Sequence, residues 1–203
     1  EKPEVADYLI RVAKFWKEES GCDGFRLDSA QLHPEAFWKR FVRAVKGDSG
    51  FLLLAELPVH PKEIGRVVRE VGFDGAYDFS AGVARGGFGK GESVNRLSFV
   101  LKEGQKYYPR PRAMMAQVDN YEDPAFVDAA LAPKPARMRS ALTFLLTLDR
   151  VPVLYTGDEL ALSYRDVGAA FPPYRRDEPF LRFVRRLIAV RKAEPALRRG
   201  RAD

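Results

Sequence analysis

The sequence predicts an α/β protein with a parallel sheet of the (β/α)8 barrel type. Short apolar runs alternate with amphipathic helical segments along the 203-residue chain. A helical crossover between consecutive strands makes the strands parallel. Each run also ends in acidic or polar residues, and barrel enzymes carry their chemistry at those strand ends. A doubly wound sheet is the competing fold, but it usually has a glycine-rich phosphate turn after its first strand, and none occurs here.

Apolar spacing and the positions of proline and glycine define the expected elements. Helices are predicted at 3–19, 34–46, 61–71, 92–104, 135–149 and 178–193, and strands at 23–28, 51–56, 73–79, 112–118 and 151–155. The glycine-rich segment 82–91 has no phosphate-loop spacing and is expected to be a surface connection.

The composition fits a folded domain with a sizeable core, at 46% hydrophobic residues, and the net charge is +6. The densest basic run, 182–199, lies on a predicted amphipathic helix, so we interpret it as a solvated face and expect no nucleic-acid partner. A barrel that binds anions is a weaker alternative. Cys22 has no disulfide partner, and His33 and His60 lack metal-ligand spacing, so no metal site is expected.

No apolar stretch approaches the roughly 18 residues that a membrane span needs, and the N-terminus lacks a signal pattern. We therefore expect no membrane association and a cytoplasmic location. The chain begins with Glu1 instead of methionine, which predicts an internal piece of a longer protein.

The first candidate site is the stretch Asp23-Gly24-Phe25-Arg26-Leu27-Asp28. Arg26 and Asp28 are two residues apart on a predicted strand, so both side chains leave the same face. A guanidinium and a carboxylate are costly to bury for packing alone. Arg26 would favour the ionised form of Asp28, which suits a nucleophile or an electrostatic stabiliser. A structural ion pair at a strand end remains the alternative.

Four segments together resemble the α-amylase family (family 13 type) of glycoside hydrolases. They are GFRLD at 24–28, LLAEL at 53–57, VDNYE at 118–122 and VLYTGDE at 153–159. Each motif is weak alone, but all four occur in the family's order at predicted strand ends. The resemblance implies a (β/α)8 catalytic domain acting on α-glucosidic bonds. This chain would supply strands 4 to 8 and their helices.

The resemblance implies that Asp28 is the nucleophile, Glu56 the general acid and base, and Arg26 the residue that orients the nucleophile. The spacing supports this pairing, since one βα unit separates Asp28 from Glu56. Their carboxyl groups should therefore lie on adjacent strands about 5 Å apart, as in retaining glycosidases. A solvated loop carboxylate is the alternative for Glu56.

The third segment departs from the family pattern, which usually has His-Asp where this chain has Tyr121-Glu122. Glu122 is the third expected catalytic carboxylate, but it is one methylene longer, a displacement of roughly 1 Å. Asn120, Tyr121 and His33 are expected to bind substrate together with Arg26, although His33 comes later than in many members. The alternative function is a catalytically impaired amylase-like protein that binds carbohydrate or a partner.

The resemblance also implies what is absent. Residues 1–203 would form a partial catalytic domain without barrel strands 1–3, the inserted loop domain and the C-terminal β-sandwich. Another segment of the same protein or a second chain is expected to complete the barrel, and the substrate would be an α-glucan or oligosaccharide. No cofactor is expected here. Calcium binding by the full-length protein is left open, because most of the usual ligands lie in the absent part.

Overall fold

The computed structural model describes residues 2–47, 50–79, 94–118, 120, 134–161 and 179–199. The chain forms two compact units. The first unit comprises Glu1–Tyr77 and Glu103–Met114, and the second comprises Asp78–Lys102 and Met115–Asp203. In the part of the chain that is described, none of the helices combines the length and apolar character that crossing a bilayer requires.

The first unit alternates helices and strands. Its elements are α1 (Pro3–Ser20), β1 (Gly24–Leu27), α2 (Glu35–Lys46), β2 (Leu52–Ala55), α3 (Pro61–Val67) and β3 (Gly75–Ala76). The strands form a parallel sheet in the order β1-β2-β3. This confirms the predicted alternation and the parallel pairing. Helix α1 begins at a proline and ends before Gly21, whose φ of 60° is a left-handed conformation that glycine adopts without steric cost.

The core of the first unit lies between β2 and the apolar faces of α2 and α3. Its largest members include Phe37, Trp38, Phe41, Leu53, Ile64 and Phe73. Helix α1 contributes much less than its sequence pattern predicts, because Ala6 and Ile10 are its buried residues. Most of its larger apolar side chains form an exposed surface, which we call the α1 stripe. The α1 stripe consists of Val5, Tyr8, Leu9, Phe15 and Trp16.

The sequence and the structure differ at the end of α3 and at β3. The helix expected at 61–71 is present over that length, but after Val67 it continues as a π-helical turn at Val68–Gly72. Strand β3 has two residues, although 73–79 was expected. Just before β3, the Asp74 carboxylate accepts the Leu53 N–H at 2.9 Å, so a side chain takes a main-chain donor at the start of the strand. Lys46 pairs with the same carboxylate at 2.5 Å.

Helix α4 (Val94–Tyr107) begins in the second unit and ends in the first. The second unit also contains β4 (Met115–Gln117), α5 (Lys134–Thr147), β5 (Val151–Val153), α6 (Pro179–Ala193) and α7 (Pro195–Arg199). Strands β4 and β5 are parallel, with Met115 opposite Val151. The core packs α5 and α6 together through Leu142, Leu145, Phe180 and Val184. The short α7 was not predicted.

One arginine of α6 closes the end of α5. Arg191 donates to the carbonyl oxygens of Leu146 and Leu148 at 2.8 and 2.9 Å, and to that of Arg150 at 2.6 Å. The last carbonyl groups of a helix have no partner within the helix, so these contacts satisfy acceptors that would otherwise need water. Burial lowers the pKa of Arg191, and the nearby Arg198 lowers it further. The other arginines of α6, at 182, 185 and 186, are exposed, as the solvated-face interpretation predicts.

Two of the strand-end acids in the second unit have structural partners. Asp78 and Arg150 form an ion pair at 3.0 Å, and both side chains are almost fully buried. Asp158 is also buried and accepts the Tyr155 N–H at 2.8 Å, which closes the turn after β5. An acidic residue at the end of a strand is therefore not by itself a sign of catalysis in this chain.

Candidate active site

The candidate site lies where β1 and β2 end. The register pairs Leu27 with Ala55, so the next residues along the two strands, Asp28 and Glu56, leave adjacent strand ends in the same direction. The Glu56 N–H donates to the Leu27 carbonyl at 2.9 Å, which continues the ladder up to the site. Neighbouring strands lie about 4.8 Å apart, and this spacing sets the distance between the two acidic residues.

Arg26 pairs with both carboxylates through different nitrogens. Its Nη1 contacts Oδ1 of Asp28, and its Nη2 lies 2.8 Å from Oε1 of Glu56. The two acids differ strongly in environment, because the Asp28 side chain is 64% exposed and the Glu56 side chain 8% exposed. One positive charge thus faces an open carboxylate and a buried one. The structure brings together the three residues that the sequence placed in one site.

The turn after β1 supplies a further contact to Glu56. The backbone N–H of Ser29 donates to Oε2 of Glu56 at 2.9 Å, and the N–H of Ala30 donates to the Glu56 main-chain carbonyl at 2.9 Å. The sequence analysis did not predict these contacts, because almost any residue type can donate a main-chain N–H. Ser29 has a φ of 44°, a conformation that most residues avoid.

Tyr77 is a second residue that the sequence analysis did not select. It follows β3, its N–H donates to the Ala55 carbonyl at 3.0 Å, and its ring lies 5.8 Å from the Arg26 guanidinium carbon. A guanidinium over an aromatic face is attracted by the ring quadrupole. Three consecutive strands therefore contribute to the surroundings of Arg26. The signal in the sequence was the position of Tyr77 at the end of a predicted strand.

His33 contacts a different set of residues. It follows the helical turn Ala30–Leu32, is exposed, and its ring lies 5.6 Å from that of Trp38 and 6.1 Å from that of Phe37. It also lines an apolar pocket with residues of α1. The described contacts of His33 thus do not join it to the Arg26, Asp28 and Glu56 group. Its expected role in substrate binding stays a prediction.

Of the remaining predicted site residues, the structure describes Asn120. Asn120 is half-buried. Tyr121 and Glu122 lie outside the described residues, so the expected third carboxylate and its neighbour stay predictions. Among the residues that are described, no three or more His, Cys, Asp or Glu side chains form a group suited to a metal ion. Calcium binding by the full-length protein stays open.

Enzymes with a (β/α)8 barrel carry their chemistry at the carboxyl ends of the parallel strands, and retaining glycosidases use two carboxyl groups close together. No protein-family model matches the chain. Neopullulanase 2 of Thermoactinomyces vulgaris is 31% identical over 98% of this chain and 35% of its own length. Alpha-amylase 2 of Dictyoglomus thermophilum is 29% identical over 97% of this chain and 37% of its own. The chain thus spans little more than a third of the length of these two relatives.

Comparison with solved structures finds the same family of enzymes. An α-amylase from Anoxybacillus is 29% identical, with a TM-score of 0.82 over 98% of this chain and 46% of its own. An α-amylase from Geobacillus thermoleovorans, complexed with acarbose, is 27% identical with the same TM-score. The resemblance stated from the four motifs is therefore confirmed. This chain is a homologue of α-amylase family glycoside hydrolases and corresponds to a part of them.

Proposed function

We propose that the protein containing this chain cleaves or transfers α-glucosidic bonds of α-glucans or maltooligosaccharides by a retaining double displacement. The observation that carries the proposal is the shared Arg26, which contacts Asp28 and Glu56 at adjacent strand ends. A retaining glycosidase needs two carboxyl groups close together, about 5 to 5.5 Å apart, with one acting as nucleophile and the other as acid. Homology to α-amylase family enzymes supports the same chemistry.

In the first step, an Asp28 oxygen attacks the anomeric carbon while the bond from that carbon to the glycosidic oxygen breaks. Glu56, in its protonated form, gives its proton to the departing oxygen. The product is a glycosyl ester of Asp28 and a free sugar hydroxyl. The exposed Asp28 carboxylate suits the nucleophile, because a substrate can reach it.

In the second step, Glu56 is a carboxylate and takes a proton from water or from an acceptor hydroxyl. The oxygen of that molecule attacks the anomeric carbon and releases Asp28 as a carboxylate. Two inversions give net retention. Arg26 faces one negative charge at each stage, first on Asp28 and then on Glu56, because the acid becomes charged as the nucleophile forms its ester. This is how one guanidinium can serve both steps.

The experiment that tests the proposal is trapping with a fluorinated glycoside in the protein at its natural length. Peptide mass spectrometry should find the label on Asp28, and Asp28→Asn should remove it. Asp23→Asn is the matched control, since Asp23 precedes the opposite end of β1. Labelling at another residue, or a first product of inverted configuration, would contradict the assignment.

We further propose that β1 to β5 correspond to barrel strands 4 to 8, and that another segment or a second chain supplies the rest. The exposed α1 stripe supports this, because a soluble protein rarely leaves so large an apolar surface uncovered. Residues 1–203 alone should self-associate in size-exclusion chromatography. A sharp monomer peak with cooperative unfolding would contradict this proposal.

The impaired alternative rests on Tyr121 and Glu122 and stays a hypothesis. The double replacement Tyr121→His and Glu122→Asp tests it in the natural-length protein. A rise in activity by orders of magnitude would show that the native residues impair turnover, and a fall would show that Glu122 is a working carboxylate. The cytoplasmic location also stays a prediction, which cell fractionation can test.

A further inference from the structure

We propose that the turn after β1 positions the carboxyl group of Glu56 for proton transfer, with Ser29 and Trp38 as positioning residues. The proposal rests on the proposed role of Glu56 as general acid and base. The proposal concerns the orientation of the Glu56 carboxyl group toward the departing oxygen. Whether Glu56 is the acid is a separate question.

The first observation is that the two carboxyl oxygens of Glu56 have different fixed partners. Oε1 accepts from Arg26 Nη2 at 2.8 Å, and Oε2 accepts from the Ser29 N–H at 2.9 Å. Donors on both oxygens fix the rotation of the carboxyl plane about its terminal bond, a torsion that is otherwise soft. A carboxyl group aimed in advance does not have to reorganise when the substrate reacts.

The second observation is the backbone conformation at Ser29. Its φ of 44° and ψ of 43° lie in the left-handed region, which a residue with a side chain adopts at a cost. Such strained positions persist where the surroundings hold them, and they occur often at functional sites. Here the strain accompanies the Ser29 N–H contact to the buried carboxylate.

The third observation identifies what holds the turn. The Trp38 indole N–H donates to the Ala30 carbonyl at 2.8 Å, and the Ala30 N–H donates to the Glu56 main-chain carbonyl at 2.9 Å. Ala30 and Trp38 are both buried. The turn is therefore tied on one side to α2 and on the other to the end of β2. Loss of the indole N–H would leave a buried carbonyl without this donor, and the turn would relax.

The first test compares two substrates that share a glycone, maltotriose and α-maltosyl fluoride. Departing fluoride needs much less protonation than a departing sugar, so the fluoride reports on the nucleophile while maltotriose also reports on the acid. Trp38→Phe should lower kcat/KM for maltotriose by roughly 10- to 100-fold and that for the fluoride by less than about 3-fold. Phe41→Leu is the matched core control, and any loss it causes should be equal for both substrates.

The second test uses the backbone at Ser29 and does not depend on the folding of the Trp38 variant. Valine disfavours a positive φ, whereas glycine adopts it readily, and both keep the N–H. Ser29→Val should therefore show the same selective loss of kcat/KM on maltotriose. Ser29→Gly should keep the parent's ratio of kcat/KM values for the two substrates. Equal losses on both substrates in Trp38→Phe and Ser29→Val would overturn the positioning role.

A third variant separates failure of this inference from failure of the proposed function. Glu56→Gln removes the acid itself and should lower kcat/KM for maltotriose far more than that for the fluoride. If it does so while Trp38→Phe and Ser29→Val show no selectivity, the positioning role alone is wrong. If Glu56→Gln shows no selectivity either, the assignment of Glu56 as acid is wrong.

Discussion

Arg26 donates from Nη2 to Oε1 of Glu56 at 2.8 Å, across the gap between two adjacent strands. Its other terminal nitrogen contacts Asp28, so the guanidinium fork matches two acceptors at once. Arg26→Lys keeps the charge but offers one compact ammonium group, which cannot hold both geometries. If the proposed function is right, kcat/KM for a maltooligosaccharide should fall by about 100-fold or more.

The control for this prediction is Arg43→Lys, at an exposed arginine of α2. It should leave kcat/KM within about 2-fold of the parent, as expected for a surface substitution away from such contacts. An Arg26→Lys enzyme as active as the control would show that the two-sided contact is not needed for turnover.

The buried pair of Arg150 and Asp78 predicts a large effect on stability. Arg150→Met would leave the Asp78 carboxylate buried without this cation and should lower the free energy of unfolding by about 3 to 5 kcal/mol. Adding Asp78→Leu to the same chain should recover part of the loss, because the uncompensated charge is removed. Denaturant titration of the natural-length protein measures both. A double variant no more stable than Arg150→Met would argue against an electrostatic origin.

Arg66 predicts a pH dependence of stability. It pairs with Glu35 and Glu63 at 2.5 Å and with Glu70 at 2.8 Å. Hydrogen bonding from Arg66 lowers the pKa of Glu35 and of Glu63 below 4.5. A carboxyl group with a lowered folded-state pKa stabilises the fold above its unfolded value, and this contribution disappears as the pH falls through the folded value. The affected range therefore lies below about pH 4.5.

In the measurement, Tm is followed from about pH 7 down to about pH 3 for the parent and for Arg66→Gln. The parent should lose more of its Tm on acidification than the variant, since the variant has already lost the pairing. Arg43→Gln serves as the control and should follow the parent. Parallel curves for the parent and Arg66→Gln would contradict the prediction.

Gly75 predicts a steric effect on stability. A Cβ atom placed there would overlap the carbonyl oxygen of Ala113, which is main chain and cannot rotate away. Gly75→Ala should therefore cost about 1 to 3 kcal/mol of unfolding free energy, as other overpacked sites do. Gly50→Ala is the matched control, because a Cβ atom there meets nothing within 4 Å. Equal midpoints in urea for the two variants would refute the close approach.

The order of helices and strands could be predicted because apolar spacing and terminal residues act locally. Pro3 and Gly21 mark the ends of α1, and the apolar run at 51–56 contains β2. The first and last residues of strand β3 could not be predicted in this way. At its start, the Asp74 carboxylate accepts a main-chain N–H from Leu53, and periodicity carries no information on such a contact.

Part of the candidate site could be predicted, because side chains alternate between the two faces of a strand. Arg26 and Asp28 share a face, and one βα unit places Glu56 beside them. Ser29 could not be found, because it acts through its main chain. Nor could the sequence distinguish Asp78 from Glu56, since both are buried acids after apolar strands. The difference lies in their partners, and for Asp78 the partner is an arginine 72 residues away.

Arg191 also bears on the synthesis of this chain. The carbonyl groups that it satisfies belong to residues 41 to 45 positions earlier in the sequence. While the ribosome is still translating the segment before residue 191, the C-terminal end of α5 and the approach to β5 lack this donor. The second unit should therefore acquire resistance to protease only after α6 has left the exit tunnel.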